Sequence, residues 1–353
     1  MTTLTNNAPL LQVRNLCKHF PIMSKGFRRK QIGVVKAVDN VSFDLFPGET
    51  LGLVGESGSG KTTCARTILR ALSPTSGEVH FRTGTNGDSR TVDLATLSNA
   101  ELKPLRKEMQ MIFQDPFSSL NPRMTVGDIV AEPLVIHNLA KGKEIEDRVV
   151  EMLVKVGLKP EHRQRYPHAF SGGQRQRIGI ARALIMKPSL VVADEAVSAL
   201  DVSVQAQVIN LLADLQAELG LTYIFVAHDL SVVQHLCDRV AVLYAGKIVE
   251  FADSDEMFAR PRHPYTRALL SAVPNIDPDI PMNLVAGGEV ADAGNLPTGC
   301  SFHPRCPHRF APCDTLLPML APPQNVPTAL QPLPGDGVCQ VACHLYHPAQ
   351  MGV

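Results

Sequence analysis

Charge of neither sign is in excess in this 353-residue sequence: 34 lysines and arginines stand against 34 aspartates and glutamates, with a pI near 7.2. That excludes a nucleic-acid binder held by bulk positive charge. Long apolar runs are also missing, and none approaches the roughly 18 residues of a membrane span. The N-terminus, MTTLTNNAPLLQVRNL, lacks the basic start and apolar core of a signal peptide. A cytosolic protein is expected, so structural disulfides among its eight cysteines are not. There is no internal repeat, no low-complexity tract and no sustained heptad pattern. What is present is a 44% hydrophobic content, enough for a globular core, on a chain long enough for about two domains.

Residues 1–260 alternate between strand and helix patterns. VSFDL (41–45) reads as a strand, and TLGLVG (50–55) as a strand entering a glycine loop with a helix from about Lys61. MQMIFQ (109–114), SLVVADE (189–195) and TYIFVAHD (222–229) are short apolar runs ending in polar residues, as suits buried strands whose C-terminal ends carry function. Amphipathic stretches at 144–156 and 203–219 read as helices, so the class is α/β with a mostly parallel sheet. After about residue 260 the composition shifts. Sixteen of the 27 prolines and five of the eight cysteines fall in 261–353. Proline at that density excludes long helices or a regular sheet. A short helix near 264–272 and then an irregular appendage are expected.

The stretch FSGGQRQR (170–177) starts a helix, with Ser171 as its N-cap and apolar positions at Ile178, Ile180, Ala181 and Leu184. A helix opening Ser-Gly-Gly exposes backbone N–H groups that bind anions. GESGSGKTT (55–63) is a second, stronger phosphate signal. It matches G-x-x-x-x-G-K-[ST] between a strand and a helix. Lys61 is placed to reach the β- and γ-phosphates, and the Thr62 hydroxyl to ligate Mg²⁺. Asp194 at a strand tip suits a Mg²⁺ role, and Glu195 suits a base acting on water. His228 and Gln114 end two further apolar runs, and three such ends in a P-loop protein point to a shared site.

The ordered set GESGSGKTT, FQDP (113–116), FSGGQ (170–174), VVADE (191–195), SALD (198–201) and AHD (227–229) resembles the nucleotide-binding subunit of ABC transporters over residues of about 10–260. The resemblance implies a P-loop NTPase fold, an ABC-ATPase domain with a RecA-like core, an antiparallel β subdomain and a helical signature subdomain. It implies ATP and Mg²⁺ at Gly55, Glu56, Ser57, Gly58, Ser59, Gly60, Lys61, Thr62 and Thr63. It places Mg²⁺ at Thr62, Gln114 and Asp194, catalysis at Glu195, His228 and Gln114, and an aromatic ring under adenine at Phe20. Between Phe20 and the P-loop lies an extra basic stretch, SKGFRRK. Ser171, Gly172, Gly173, Gln174 and Asp201 would face the ATP of a partner ATPase. In that family two ATPases pair head to tail, and the P-loop of one and the SGGQ helix of the other enclose the same ATP. Two phosphate-binding helix starts then belong to two different nucleotides.

FQDPFSSLNPRMTVGDIVAEPL, YPHAFSGGQRQRIGIARAL, DVSVQAQVINLL and PRHPYTRALLSAVP narrow the resemblance to the dipeptide/oligopeptide importer ATPases, most like the second of the paired subunits. Implied partners are a second ATPase subunit (a paralogue or another copy), two membrane permeases and, indirectly, a secreted or periplasmic substrate-binding protein, with no nucleic acid. The implied location is peripheral, on the cytoplasmic face of the cell membrane. Relatives in the group also serve nickel, glutathione and peptide antibiotics, and the ATPase sequence does not choose the solute. A soluble ABC protein acting on ribosomes or DNA would instead show two cassettes or a coiled-coil insertion. Two departures stand out: Ala196 replaces the usual Pro after the catalytic Glu, and Phe170 replaces the usual Leu of the signature.

The division expected is 1–260, nucleotide-binding domain, and 261–353, Cys-rich C-terminal domain. The tail cysteines have the spacing C-x5-C-x6-C-x25-C-x3-C over Cys300, Cys306, Cys313, Cys339 and Cys343. This is looser than structural zinc pairs and unlike the ferredoxin run, so spacing leaves zinc and iron–sulfur both open, with free thiols as a third reading. The family resemblance implies a 4Fe–4S cluster on Cys300, Cys306, Cys313 and Cys343, with Cys339 surplus. Cys17, Cys64 and Cys237 are expected to be ordinary thiols of the cassette.

Overall fold

A computed structural model describes residues 8–25, 30–84, 89–272, 293–324 and 339–347. Residues 26–29 of the basic stretch SKGFRRK and the end of PRHPYTRALLSAVP lie outside these. In chain order the elements are β1 (Leu11–Met23), β2 (Gln31–Leu45), β3 (Thr50–Val54), α1 (Lys61–Ile68), β4 (Ser76–Thr83), β5 (Arg90–Asp93), α2 (Asn99–Leu105), β6 (Met109–Ile112), α3 (Val126–Ile136), α4 (Lys143–Lys155) and α5 (Gly172–Leu184). There follow β7 (Leu190–Asp194), α6 (Val202–Leu219), β8 (Thr222–Val226), α7 (Leu230–Leu236), β9 (Arg239–Tyr244), β10 (Lys247–Asp253), α8 (Ser254–Ala259), α9 (Pro264–Ser271) and β11 (Gln340–Val341). Among the described residues no helix is long and apolar enough to cross a membrane.

The chain divides into two compact units, one of Met1–Gln12, Asp44–Thr50 and Val79–Val226, the other of Val13–Phe43, Leu51–Glu78 and Ala227–Val353. In the first, β6, β7 and β8 run parallel, with Met109 opposite Leu190 and Leu190 opposite Thr222. Every residue of β7 and of β8 is buried. Strands covered on both faces carry unbroken apolar runs, and this is why LVVAD and TYIFV show no alternation. The polar residues that end these runs lie at the strand tips or just past them, Asp194 as the last residue of β7 and Gln114, Glu195 and His228 beyond the strand ends. Helices α3, α4 and α5 pack as a group in this unit. α5 starts where FSGGQ predicts, with Ser171 as N-cap and a reciprocal capping box to Gln174.

In the second unit β3 runs parallel to β9, β9 turns back into antiparallel β10, and the two-residue β11 pairs antiparallel with β10 at Glu250 opposite Val341. VSFDL proves to be the end of a longer strand, since β2 starts at Gln31. The tail is irregular, as its prolines require, but it does not lack apolar packing. Phe302 meets Tyr244 and Tyr265 at ring-centroid distances of 5.3 and 5.4 Å, and Tyr244 meets Tyr265 at 4.6 Å. The tail thus packs on the apolar surface of β9 and α9, and Val341, Cys343 and Tyr346 form a small buried cluster of its own. The turn into α9 is held by buried Glu250, whose carboxylate accepts the N–H groups of Arg262 and His263 at 2.8 Å each. Burial pushes that carboxyl up from its ordinary range.

Candidate functional site: a phosphate loop, an acidic strand end and a cysteine cavity

In the second unit, β3 ends in the loop Gly55–Gly60. Gly55 and Gly60 have φ of +149° and +105°, and a side chain at either would run into the backbone carbonyl of Leu243 or of Ala37. Only glycine lets the loop turn this tightly against its neighbours. Gly60 is also the N-cap of α1 and leaves the helix start without a side-chain cap. Its first-turn N–H groups are therefore the kind that gather anions. Lys61 is buried, and its ammonium donates to the carbonyls of Gly55 (2.7 Å) and Glu56 (2.9 Å). Ser59 is buried; Ser57 and Gly58 are exposed, and Thr62 and Thr63 half-buried. Phe20 on β1 is 37% exposed, with the Lys18 ammonium 4.9 Å from its ring centre, so the ring is not buried in a core. His228 lies in the same unit and is exposed.

The first unit brings Gln114 and Glu195 together. Gln114 Nε2 donates to Glu195 Oε2 at 2.6 Å. Asp194 is the buried last residue of β7. Glu195 has φ +48°, uncommon for a residue with a side chain. The conformation is pinned at both ends: its N–H donates to Val226 O at 2.9 Å, and its carbonyl accepts the Ser198 hydroxyl at 3.0 Å. Such pinned strain is found where a side chain must be aimed. Asp201 is exposed at the start of α6, and Ser171 is exposed at the start of α5. Gly173 abuts α6 so closely that a Cβ would strike Val204.

The segment after Gln114 folds on Asp115, which accepts the N–H groups of Phe117 (2.8 Å) and Ser118 (3.2 Å). Two arginines of α5 hold it. The Arg175 guanidinium lies 4.3 Å from the Phe117 ring centre, and Arg182 Nη1 donates to Ser119 O at 2.6 Å. The helix that opens with the signature is therefore tied directly to residues 117–119.

In the tail, Cys300, Cys306, Cys313 and Cys343 line one small cavity with Phe310 and His303. Burial pushes the Cys300 thiol up to about 11 and the Cys343 thiol up to about 12, and the neighbouring cysteines add to both. Cys339 stands apart from this lining, and its Sγ accepts from Arg262 Nη1 at 2.8 Å. Four thiolates on one zinc ion, with bonds of about 2.3 Å, would lie about 3.8 Å from one another. Among the described residues no three donor atoms of the tail come within 4.8 Å of each other. The four cysteines share a cavity that His263, His303, His308 and His344 also line, without converging on a single-ion point. Cys64 is buried in α1, and burial pushes its thiol up to about 12.

Two further residues hold the P-loop from outside the nucleotide motifs. Arg305 donates from both Nη atoms to the Glu56 carboxylate (2.8 and 2.9 Å), and the Tyr265 hydroxyl accepts the Glu56 N–H at 2.8 Å.

Residues 38–198 match the family described as ABC transporter, and 249–313 match the oligopeptide/dipeptide transporter C-terminal region. The oligopeptide transport ATP-binding protein AppF of Bacillus subtilis is 48% identical over 348 residues, covering 98% of this chain and 99% of its own. The dipeptide transport ATP-binding protein DppF of Escherichia coli is 48% identical over 317 residues, covering 90% and 92%. Among solved structures, the ATP-binding cassette MJ0796, dimeric and bound to ADP and Pi, is 28% identical with a TM-score of 0.58, covering 69% of this chain and 98% of that one. The cbiO1 cassette of Clostridium perfringens is 28% identical with a TM-score of 0.59, covering 71% and 91%. The loop, the acidic strand end and the tail are thus parts of one known architecture, and the chain belongs to the ATP-binding proteins of ABC transporters, in the oligopeptide/dipeptide group.

Proposed function

We propose that this chain binds and hydrolyses ATP to drive uptake of di- or oligopeptides across the cytoplasmic membrane, as a peripheral subunit on its inner face. The observation that carries the reading is the Gln114–Glu195 hydrogen bond in a chain that also bears the complete phosphate loop. A carboxylate held by an amide at the end of a buried strand can orient water and take its proton. In this reading Gly55–Thr63 cradle the phosphates, with Lys61 on the β- and γ-phosphates. Thr62, Gln114 and Asp194 serve Mg²⁺, which offsets phosphate charge. Glu195 is the base, His228 reaches the γ-phosphate, and Phe20 stacks on adenine.

The chain acts in a pair, with Ser171, Gly172, Gly173, Gln174 and Asp201 completing the partner ATPase's nucleotide site. The dimeric state of the solved MJ0796 cassette supports this. ATP closes the pair and hydrolysis releases it, and two permeases convert that cycle into inward- and outward-facing states. Residues 115–130 receive a permease loop, because Arg175 and Arg182 tie this segment to the signature helix. A substrate-binding protein delivers the peptide on the far side.

Residues 1–260 form the cassette and 261–353 the C-terminal domain. Cys300, Cys306, Cys313 and Cys343 hold a 4Fe–4S cluster, which serves as a cross-link in an irregular, proline-rich tail. The shared cavity lining and the separate place of Cys339 support this ligand set. Anaerobic purification should give brown protein with iron and labile sulfide, bleached by Cys306→Ser. Colourless protein with one zinc per chain would replace the cluster and keep the ligands.

The experiment for the whole reading is copurification from membranes with identification of partners and solute. Two permeases, a second ATPase and bound peptide are expected. A complex carrying nickel or glutathione would change the solute, and recovery without any membrane protein would overturn the reading.

A further inference from the structure

Glu56 is the second residue of the phosphate loop, and all its polar groups are taken. Its carbonyl accepts the Lys61 ammonium at 2.9 Å. Its N–H donates to the Tyr265 hydroxyl at 2.8 Å. Its carboxylate accepts a bidentate guanidinium from Arg305 at 2.8 and 2.9 Å. The last two partners lie outside every nucleotide motif, Tyr265 in α9 and Arg305 in the tail turn between Cys300 and Cys306.

Neither partner is a loose surface group. The Arg305 side chain is 6% exposed and the Glu56 side chain 19%. The Arg305 guanidinium also lies 5.6 Å from the Phe302 ring centre and 6.0 Å from that of Tyr244. Tyr265 is fully buried against the same two rings. The turn that carries Arg305 is fixed by the cysteine backbone: Cys300 N–H donates to Cys313 O at 2.8 Å, and His303 N–H to Cys300 O at 2.9 Å. A two-pronged, mostly desolvated guanidinium–carboxylate pair fixes direction as well as distance.

We propose that the C-terminal region is a working part of the nucleotide site: Arg305 and Tyr265 are positioning residues that hold Glu56, and through its peptide the ledge on which Lys61 rests. The proposal rests on the reading of this loop as the ATP loop. Losing the pair leaves Glu56 free to swing, so the loop must be ordered by the nucleotide itself. Affinity falls, while the water-activating Glu195, on a different strand end, is untouched.

The test measures binding of a fluorescent ATP analogue (mant-ATP, with Mg²⁺) to the full-length chain, together with KM and kcat for ATP in the assembled transporter. Arg305→Ala should weaken binding and raise KM by about tenfold, with kcat changed much less. Arg305→Lys, which keeps the charge but loses the fork, should fall between. Glu56→Gln should weaken binding too, and the double variant should be no worse than the weaker single one, because both remove the same pair. Should Arg305→Ala fail to fold, Arg305→Lys and Glu56→Gln decide the matter by the same KM and kcat readouts. Binding within twofold of wild type in both Arg305→Ala and Glu56→Gln would overturn the proposal. So would losses that add in the double variant, or a fall in kcat at unchanged KM. Failure of the wild-type chain to bind mant-ATP would instead sink the reading of the loop.

Discussion

Glu195 combines a carboxylate gripped by Gln114 with a backbone at φ +48°. Replacing it by Gln keeps the shape and removes the base. Steady-state hydrolysis by the assembled transporter should then fall by about 100-fold or more, while ATP still binds and the ATPase pair stays closed. The matching residue of the partner ATPase is changed as well, so that its site does not mask the loss. Hydrolysis at the wild-type rate would mean that another group activates water. Legibility at this scale divides sharply. Gly55, Gly60 and Lys61 are readable because one local turn demands them in order. Arg305 is not, because its partner Glu56 lies 249 positions away and an arginine in an irregular tail has no periodicity to betray it.

At the scale of elements, α5 links the signature to the loop after Gln114, and its seat on α6 depends on Gly173. Gly173→Ala pushes a methyl into Val204, which should lower stability by about 1–3 kcal/mol. Val204→Ala in the same chain should restore most of it. A thermal melt of the full chain decides, and no change with Gly173→Ala alone would contradict the packing. Asp39 on β2 gives a pH prediction. Burial raises its carboxyl, but Lys247 (2.8 Å) and Lys36, with His19, together pull it below the ordinary value of 3.8. A carboxyl depressed on folding adds stability that is complete above its unfolded value and is lost as pH falls through the folded one. Lys247→Met leaves burial less opposed, so acid unfolding should begin at a higher pH than in wild type. Identical acid profiles would contradict this. Among the elements, β3, β7 and β8 are legible because strands buried on both faces are short apolar runs. α2 and α3 carry Pro104 and Pro133 inside them, which blunts the helical pattern. The long outer part of β2 is half exposed and shows no such run.

For the whole molecule, the order of motifs along the chain carries more than any one of them, because a P-loop alone serves many activities. What sequence order leaves unread is how the proline-rich tail is held: it packs on β9 and α9, which composition does not record. Cysteines placed at Ser118 or Met124 should crosslink to a cytoplasmic loop of a permease, and their absence across a scan of 115–130 would remove this segment from the interface. The central claim is that ATP hydrolysis by this chain moves peptides inward. It is tested most directly in proteoliposomes that hold the assembled transporter and Mg²⁺-ATP inside, with labelled di- and oligopeptides and the binding protein outside. Uptake should require ATP and fall to background with Glu195→Gln. Intact ATP hydrolysis with no ATP-dependent uptake of any peptide in the panel would contradict the account.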